Sequence, residues 1–170
     1  MRACCAIIGC SPKAFPWGWD EEDEYCAAMK LVLLNRITLL QSQGVVDYHI
    51  SMDCGAGLYA AEIINGLRET AGELKLTCYV PCEEQPTKWA PELRSRYFNV
   101  LGGCTELVNV APRKTVGCEF NAHLRAMAEA ETVIAVCNPE NPNCEREMAA
   151  VSVAKLLGKA VVLLNPGDIR

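Results

Sequence analysis

The chain predicts an α/β fold, a single doubly wound and mostly parallel sheet with helices on both faces. Three observations predict it. Short apolar runs rich in Val, Ile, Leu and Cys alternate with longer segments of helical periodicity. The strand candidates are nearly continuous in their hydrophobicity, as strands covered on both faces are. No Ser/Gly-rich linker, internal repeat or low-complexity stretch interrupts the 170 residues, so one domain over 1–170 is expected.

The elements follow in order. A strand over Ala3–Ile8 ends at Gly9 and leads into a long loop holding Phe15, Pro16, Trp17, Gly18 and Trp19. These aromatics are expected to anchor the loop on the sheet, the alternatives being a lid that stacks on a base or a dimer contact. A helix over Glu21–Gln43 follows the acidic run Asp20–Glu24, whose charges complement the positive end of the helix dipole and face solvent. The strand Val45–Met52 then runs through a Gly-containing turn into a helix over Leu58–Thr70. Strands at Leu74–Val80, Glu106–Val110, Thr132–Cys137 and Ala160–Leu164 alternate with helices at Pro91–Leu101, Gly117–Ala130 and Glu145–Leu157.

Composition excludes several classes of function. Apolar residues make up 51% and charged residues 22%, ordinary for a globular protein, and the net charge of −5 argues against a nucleic-acid groove. The densest basic set, Lys88, Arg94 and Arg96, is too small for that role. No apolar run approaches the roughly 20 residues that span a bilayer. The opening Met1-Arg2-Ala-Cys-Cys-Ala-Ile-Ile is too short for a signal peptide and reads as the first strand, so a cytoplasmic protein with no membrane partner is expected. The eleven cysteines contain no C-x-x-C, and most lie in apolar runs, so reduced structural thiols are expected. The two histidines, His49 and His123, are far apart in sequence, and neither a metal site nor a cofactor is implied. Homo-oligomers are compatible with the chain, but no feature fixes a number.

The most informative stretch is Ser51-Met-Asp-Cys-Gly-Ala-Gly-Leu-Tyr-Ala-Ala-Glu62, a strand, a Gly turn and a helix start. That arrangement presents unpaired backbone N–H groups to an anion, typically phosphate. Gly55, Ala56 and Gly57 are therefore candidate phosphate donors, with Asp53 before them either capping the helix or meeting ribose hydroxyls or a cation. In a doubly wound sheet, ligands lie beyond the strand carboxyl ends where strand order reverses. Four loops reach that edge: Gly9–Pro12, with Gly9 and Ser11; Asp53–Gly57; Pro81–Gln85, with Gln85; and Asn138–Asn143, with Asn141 and Asn143 closing the site. His123 reads as a surface or packing residue, and no Ser-His-Asp order or pair of carboxylates stands out.

At Ile7–Pro12, at Ser51–Glu62 and at Pro81 through Gln85 to Trp89, the chain resembles short, single-domain members of the SLOG superfamily, the Rossmann-like group that includes the DprA and LOG proteins. The resemblance covers nearly the whole chain. It implies binding or sensing of a nucleotide or nucleotide-derived small molecule at the strand ends, with Gln85, Lys88 and Trp89 contacting the ligand or positioning the next helix. The LOG branch hydrolyses the N-glycosidic bond of nucleoside 5′-monophosphates through a Pro-Gly-Gly-x-Gly-Thr-x-x-Glu motif, which makes a phosphoribohydrolase the alternative. Here the equivalent loop reads Asn138-Pro-Glu-Asn-Pro-Asn-Cys-Glu-Arg-Glu147 with no glycine. Glu145 and Glu147 are the candidates for the catalytic carboxylate. A third alternative is an interaction protein with a vestigial pocket.

Overall fold

A computed structural model describes residues 3–169. Six strands form one parallel sheet: β1 (Cys4–Gly9), β2 (Asp47–Ser51), β3 (Lys75–Cys82), β4 (Glu106–Ala111), β5 (Thr132–Val136) and β6 (Ala160–Leu164), in spatial order β4-β3-β2-β1-β5-β6. Five α-helices connect them: α1 (Glu24–Ser42), α2 (Ala56–Arg68), α3 (Pro91–Gly103), α4 (Cys118–Met127) and α5 (Glu145–Leu156). The expected α/β sheet with helices is therefore present, and every expected element is found within a few residues of its predicted bounds.

Helices α1, α2 and α3 pack side by side on one face, and α4 and α5 pack together on the other. Central strand β1 is buried along its whole length, which its unbroken Cys-Cys-Ala-Ile-Ile-Gly run allows. Ile7 stands in register with Ile50 on β2 and Ile134 on β5, at the middle of the core. Helix α1 buries Cys26, Met29, Leu33, Ile37 and Leu40, one stripe at helical spacing.

The acidic run before α1 is placed differently from the expectation. The helix begins only at Glu24, and Asp23 caps it by accepting from the Tyr25 N–H at 2.7 Å. Glu21 is not a solvated charge. It pairs with Lys30 at 2.7 Å and with Arg96, which also bonds Glu62 at 2.8 Å, so one guanidinium joins the entry to α1 with α2 and α3. Phe15 and Trp17 are buried and stacked, with Phe15 also against Tyr59, which makes them anchors of the first loop; Trp19 stays exposed.

The cysteines also depart in one respect from the expectation of reduced thiols. Cys10 and Cys144, 134 residues apart, are joined as a disulfide with Cα atoms 5.9 Å apart. Sequence spacing could not show it, because β1 and β5 become neighbours only in the sheet. The free cysteines behave as small apolar residues, all buried except the partly exposed Cys104. Among the described residues, no helix is long and apolar enough to cross a membrane.

Candidate functional site

Strand order runs outward from β1 to β4 on one side and through β5 to β6 on the other, so the direction of winding reverses between β1 and β5. At the carboxyl ends beside this reversal lies a polar cleft of about 20 Å³, lined by Gly9, Ser11, Ser51, Met52, Asp53, Pro81, Gln85, Glu119, His123, Arg146 and Glu147. Three loops predicted from the sequence contribute to it, those after β1, β2 and β3. The lining from the other sheet face comes from α4 and α5.

The Gly-containing turn before α2 is built by close approach. A Cβ on Gly55 would lie 2.6 Å from the Cys10 carbonyl oxygen, one on Gly57 would strike the Ser51 carbonyl, and one on Gly9 would strike Ala56. The turn's donors are engaged within the protein. Asp53 Oδ1 accepts from the Gly55 N–H at 2.7 Å and the Gly57 N–H at 3.0 Å, and the Ala56 N–H donates to the Cys10 carbonyl at 3.3 Å. The Asp53 side-chain oxygen thus accepts the donors that the sequence reading offers to a phosphate.

Residue Asp53 is partly exposed, but its carboxylate lies below the surface, and Oδ2 is buried without a donor. Burial pushes its pKa up to about 8 despite the two backbone bonds, with Glu147 adding to the rise and Arg146 opposing it.

A hydrogen-bonded chain that the sequence reading missed runs through the floor of the cleft. Ser51 Oγ lies 2.7 Å from His123 Nδ1, and His123 Nε2 lies 3.2 Å from Glu147 Oε1; all three residues are buried. Burial raises the pKa of Glu147, but the His123 bond and the charges of His123 and Arg146 outweigh it and hold the carboxyl below its usual range. An ionised carboxylate only accepts, so His123 Nε2 carries the proton toward Glu147, while Nδ1 shares a hydrogen bond with the Ser51 hydroxyl. Arg146, at the mouth and half exposed, donates to the same Oε1 from Nε and Nη2, each at 3.2 Å, and lies 3.9 Å from Glu119.

The expectation that His123 is a surface or packing residue is corrected by this chain: it is a buried polar link. Its signal was present in α4, where Cys118, Ala122, Ala126 and Met127 form the inward stripe and His123 falls on it. Asp53 is joined in the cleft by a second carboxyl group, that of Glu147, which lines it from the other face of the sheet. Glu147 begins the stripe continued by Ala150, Val151 and Ala154, whereas Glu145 is exposed.

The remaining predicted residues have definite partners. Gln85 donates to the Met52 carbonyl at 2.9 Å and accepts from Tyr97 at 2.9 Å, while the Trp89 ring meets Tyr97 edge-on, so this pair positions α3. Lys88 is exposed. Asn141 and Asn143 donate to the Ala14 and Lys13 carbonyls at 3.3 and 3.5 Å, tying the loop after β5 to the loop after β1 without lining the cleft. Among the described residues, no set of three His, Cys, Asp or Glu side chains converges as a metal cage.

The chain is similar to known proteins over most of its length. The model of the YspA SLOG family matches residues 5–155. A UPF0398 protein of Bacillus licheniformis is 32% identical over 97 residues, 56% of this chain and 52% of the relative. A UPF0398 protein of Halalkalibacterium halodurans is 27% identical over 89 residues, covering 52% and 47%, and one of Bacillus pumilus is 26% identical over 146 residues, covering 84% and 77%. The matches to the first two relatives span about half of their length. With most of its length matched by the family model, the chain belongs to the YspA SLOG family.

Proposed function

We propose that the protein binds a nucleotide or nucleotide-derived small molecule across the strand carboxyl ends, as a binding or sensing module. The observation that carries this reading is the polar cleft at the β1–β5 reversal, where doubly wound sheets receive ligands. Ser11 and Asp53 are the groups offered to the ligand. Gly9, Gly55, Ala56 and Gly57 bring the loop after β1 against the start of α2, Gln85 fixes the third wall, and Asn141 and Asn143 hold the rim together. The cleft's small volume keeps the base outside it, and the Arg146 guanidinium at its mouth suits a phosphate.

A thermal-shift screen against AMP, ADP, ADP-ribose, NAD, CMP and cyclic dinucleotides, with product analysis of each hit, tests the reading. A ligand at about 100 times its Kd stabilises the fold by roughly 2.7 kcal/mol. An intact ligand recovered after long incubation supports a binding module, and the absence of any shift at millimolar ligand removes the reading.

One observation favours N-glycosidic hydrolysis as a second reading. Glu147 reaches the cleft with an ionised carboxylate, as a general base or nucleophile requires, while Glu145 does not reach it. Release of free base by the wild type and its loss in Glu147→Gln is the expected result under that reading.

A further inference from the structure

Two carboxylates in the cleft are each half satisfied. On Glu147 every donor, from His123 and from Arg146, goes to Oε1, and Oε2 is buried with none. On Asp53 both backbone donors go to Oδ1, and Oδ2 is buried with none. Glu147 is 1% exposed, so bulk water does not serve it. The two residues reach the same small cavity from opposite faces of the sheet, one after β2 and one at the start of α5. Buried carboxylate oxygens are normally hydrogen-bonded or bound to a cation, because leaving them bare forfeits their hydration.

Charge and size select among the species that could fill the gap. The charged carboxylates of Glu119 and Glu147 share one guanidinium, that of Arg146, and the Asp53 carboxyl group lines the same cavity with no cation of its own among the described residues. The cavity therefore favours a positive guest. Its volume of about 20 Å³ admits a water-sized species. The bare atoms are carboxylate oxygens only; both nitrogens of His123 are engaged. Oxygen ligands select hard cations over zinc or copper. Magnesium is commonly held by one or two carboxylates while keeping several waters, which agrees with the lack of a three-residue cage.

We propose that Asp53 Oδ2 and Glu147 Oε2 jointly ligate one hydrated divalent cation of the magnesium class. The chain Ser51–His123–Glu147 holds the second ligand in place, and the Gly55 and Gly57 N–H groups hold the first. Remaining coordination positions are filled by water and face Ser11 at the mouth. The ion binds with no nucleotide present, so this site and the nucleotide reading stand or fall separately.

The test uses the whole chain and metal alone. Mn²⁺, a paramagnetic stand-in, is titrated by electron paramagnetic resonance and competed with MgCl₂. The proteins are the wild type, Asp53→Asn, Glu147→Gln and the exposed control Glu22→Gln, each checked for folding by circular dichroism. The expected result is one Mn²⁺ per chain, displaced by Mg²⁺, with affinity reduced at least tenfold by Asp53→Asn and by Glu147→Gln and unchanged by Glu22→Gln. If Glu147→Gln fails to fold, Asp53→Asn decides, because its amide oxygen still accepts the two backbone bonds. Absence of stoichiometric Mn²⁺ at millimolar metal, binding that survives Asp53→Asn, or binding lost only in Glu22→Gln overturns the proposal.

Discussion

At Gly55 the absence of one carbon atom decides whether α2 can approach β1. An added Cβ would sit 2.6 Å from the Cys10 carbonyl, 3.0 Å from the Phe15 ring and 3.1 Å from Pro12 Cδ, and the nearest of these is backbone that cannot step aside. Gly55→Ala is expected to cost about 1–3 kcal/mol, the range for overpacking a filled interior, measured by urea denaturation. His123 is a second such position. Removing its ring in His123→Ala leaves the buried Ser51 hydroxyl and Glu147 carboxylate each short of a partner, at about 1–3 kcal/mol for each orphaned group. A His123→Ala variant as stable as wild type would show that water replaces the imidazole at no cost.

Among the elements, the join between α1, α2 and α3 rests on Arg96, which bonds Glu21 and Glu62 from a position about one-third exposed. Solvent screening limits what the pairs contribute. Arg96→Ala is expected to lose on the order of 1 kcal/mol at low salt, and less as salt is added. Burial raises the Glu21 pKa, but the bonds from Arg96 and Lys30 outweigh it and leave the group depressed in the folded state. A depressed carboxyl stabilises the fold above its unfolded pKa of about 4.3, and that contribution disappears as pH falls through the folded value. Glu21→Gln is therefore expected to flatten the acid limb of the stability curve below about pH 4 and to leave its slope near neutrality unchanged. Denaturant midpoints collected from pH 2 to 7 check this.

For the molecule as a whole, the Cys10–Cys144 link closes a loop of 134 residues and ties the two loops that flank the β1–β5 reversal. Asn141 and Asn143 bond across the same seam. In the chain-entropy account, a cross-link over so long a loop restricts the unfolded ensemble, and its loss costs about 2–5 kcal/mol. Cys10→Ser, or wild type under reductant, is expected to unfold at correspondingly lower urea. Thiol counting by mass spectrometry decides first whether the bond is present: nine alkylated cysteines in the unreduced, unfolded protein are expected, and eleven would remove this prediction.

The order of strands and helices was legible in the sequence because it depends on local pattern. Apolar runs such as Cys-Cys-Ala-Ile-Ile can bury both faces only inside a covered sheet, and stripes such as Cys26, Met29, Leu33 and Ile37 require a helix. The loops that carry the cleft were legible for the same reason: they lie where those patterns end. Partners distant in sequence were not legible. Asp53 was visible beside its Gly turn, but its role as that turn's internal hydrogen-bond acceptor required the loop geometry. The Ser51–His123–Glu147 chain spans 72 and 24 residues, and the Cys10–Cys144 link spans 134. Local propensity acts over a turn or a strand, whereas these contacts exist because the sheet lays β1, β2 and β5 side by side and packs α4 and α5 across their ends. Sequence alone determined the class of fold and the edge at which a site could form; the tertiary structure decided which carboxylates, imidazole and guanidinium meet there.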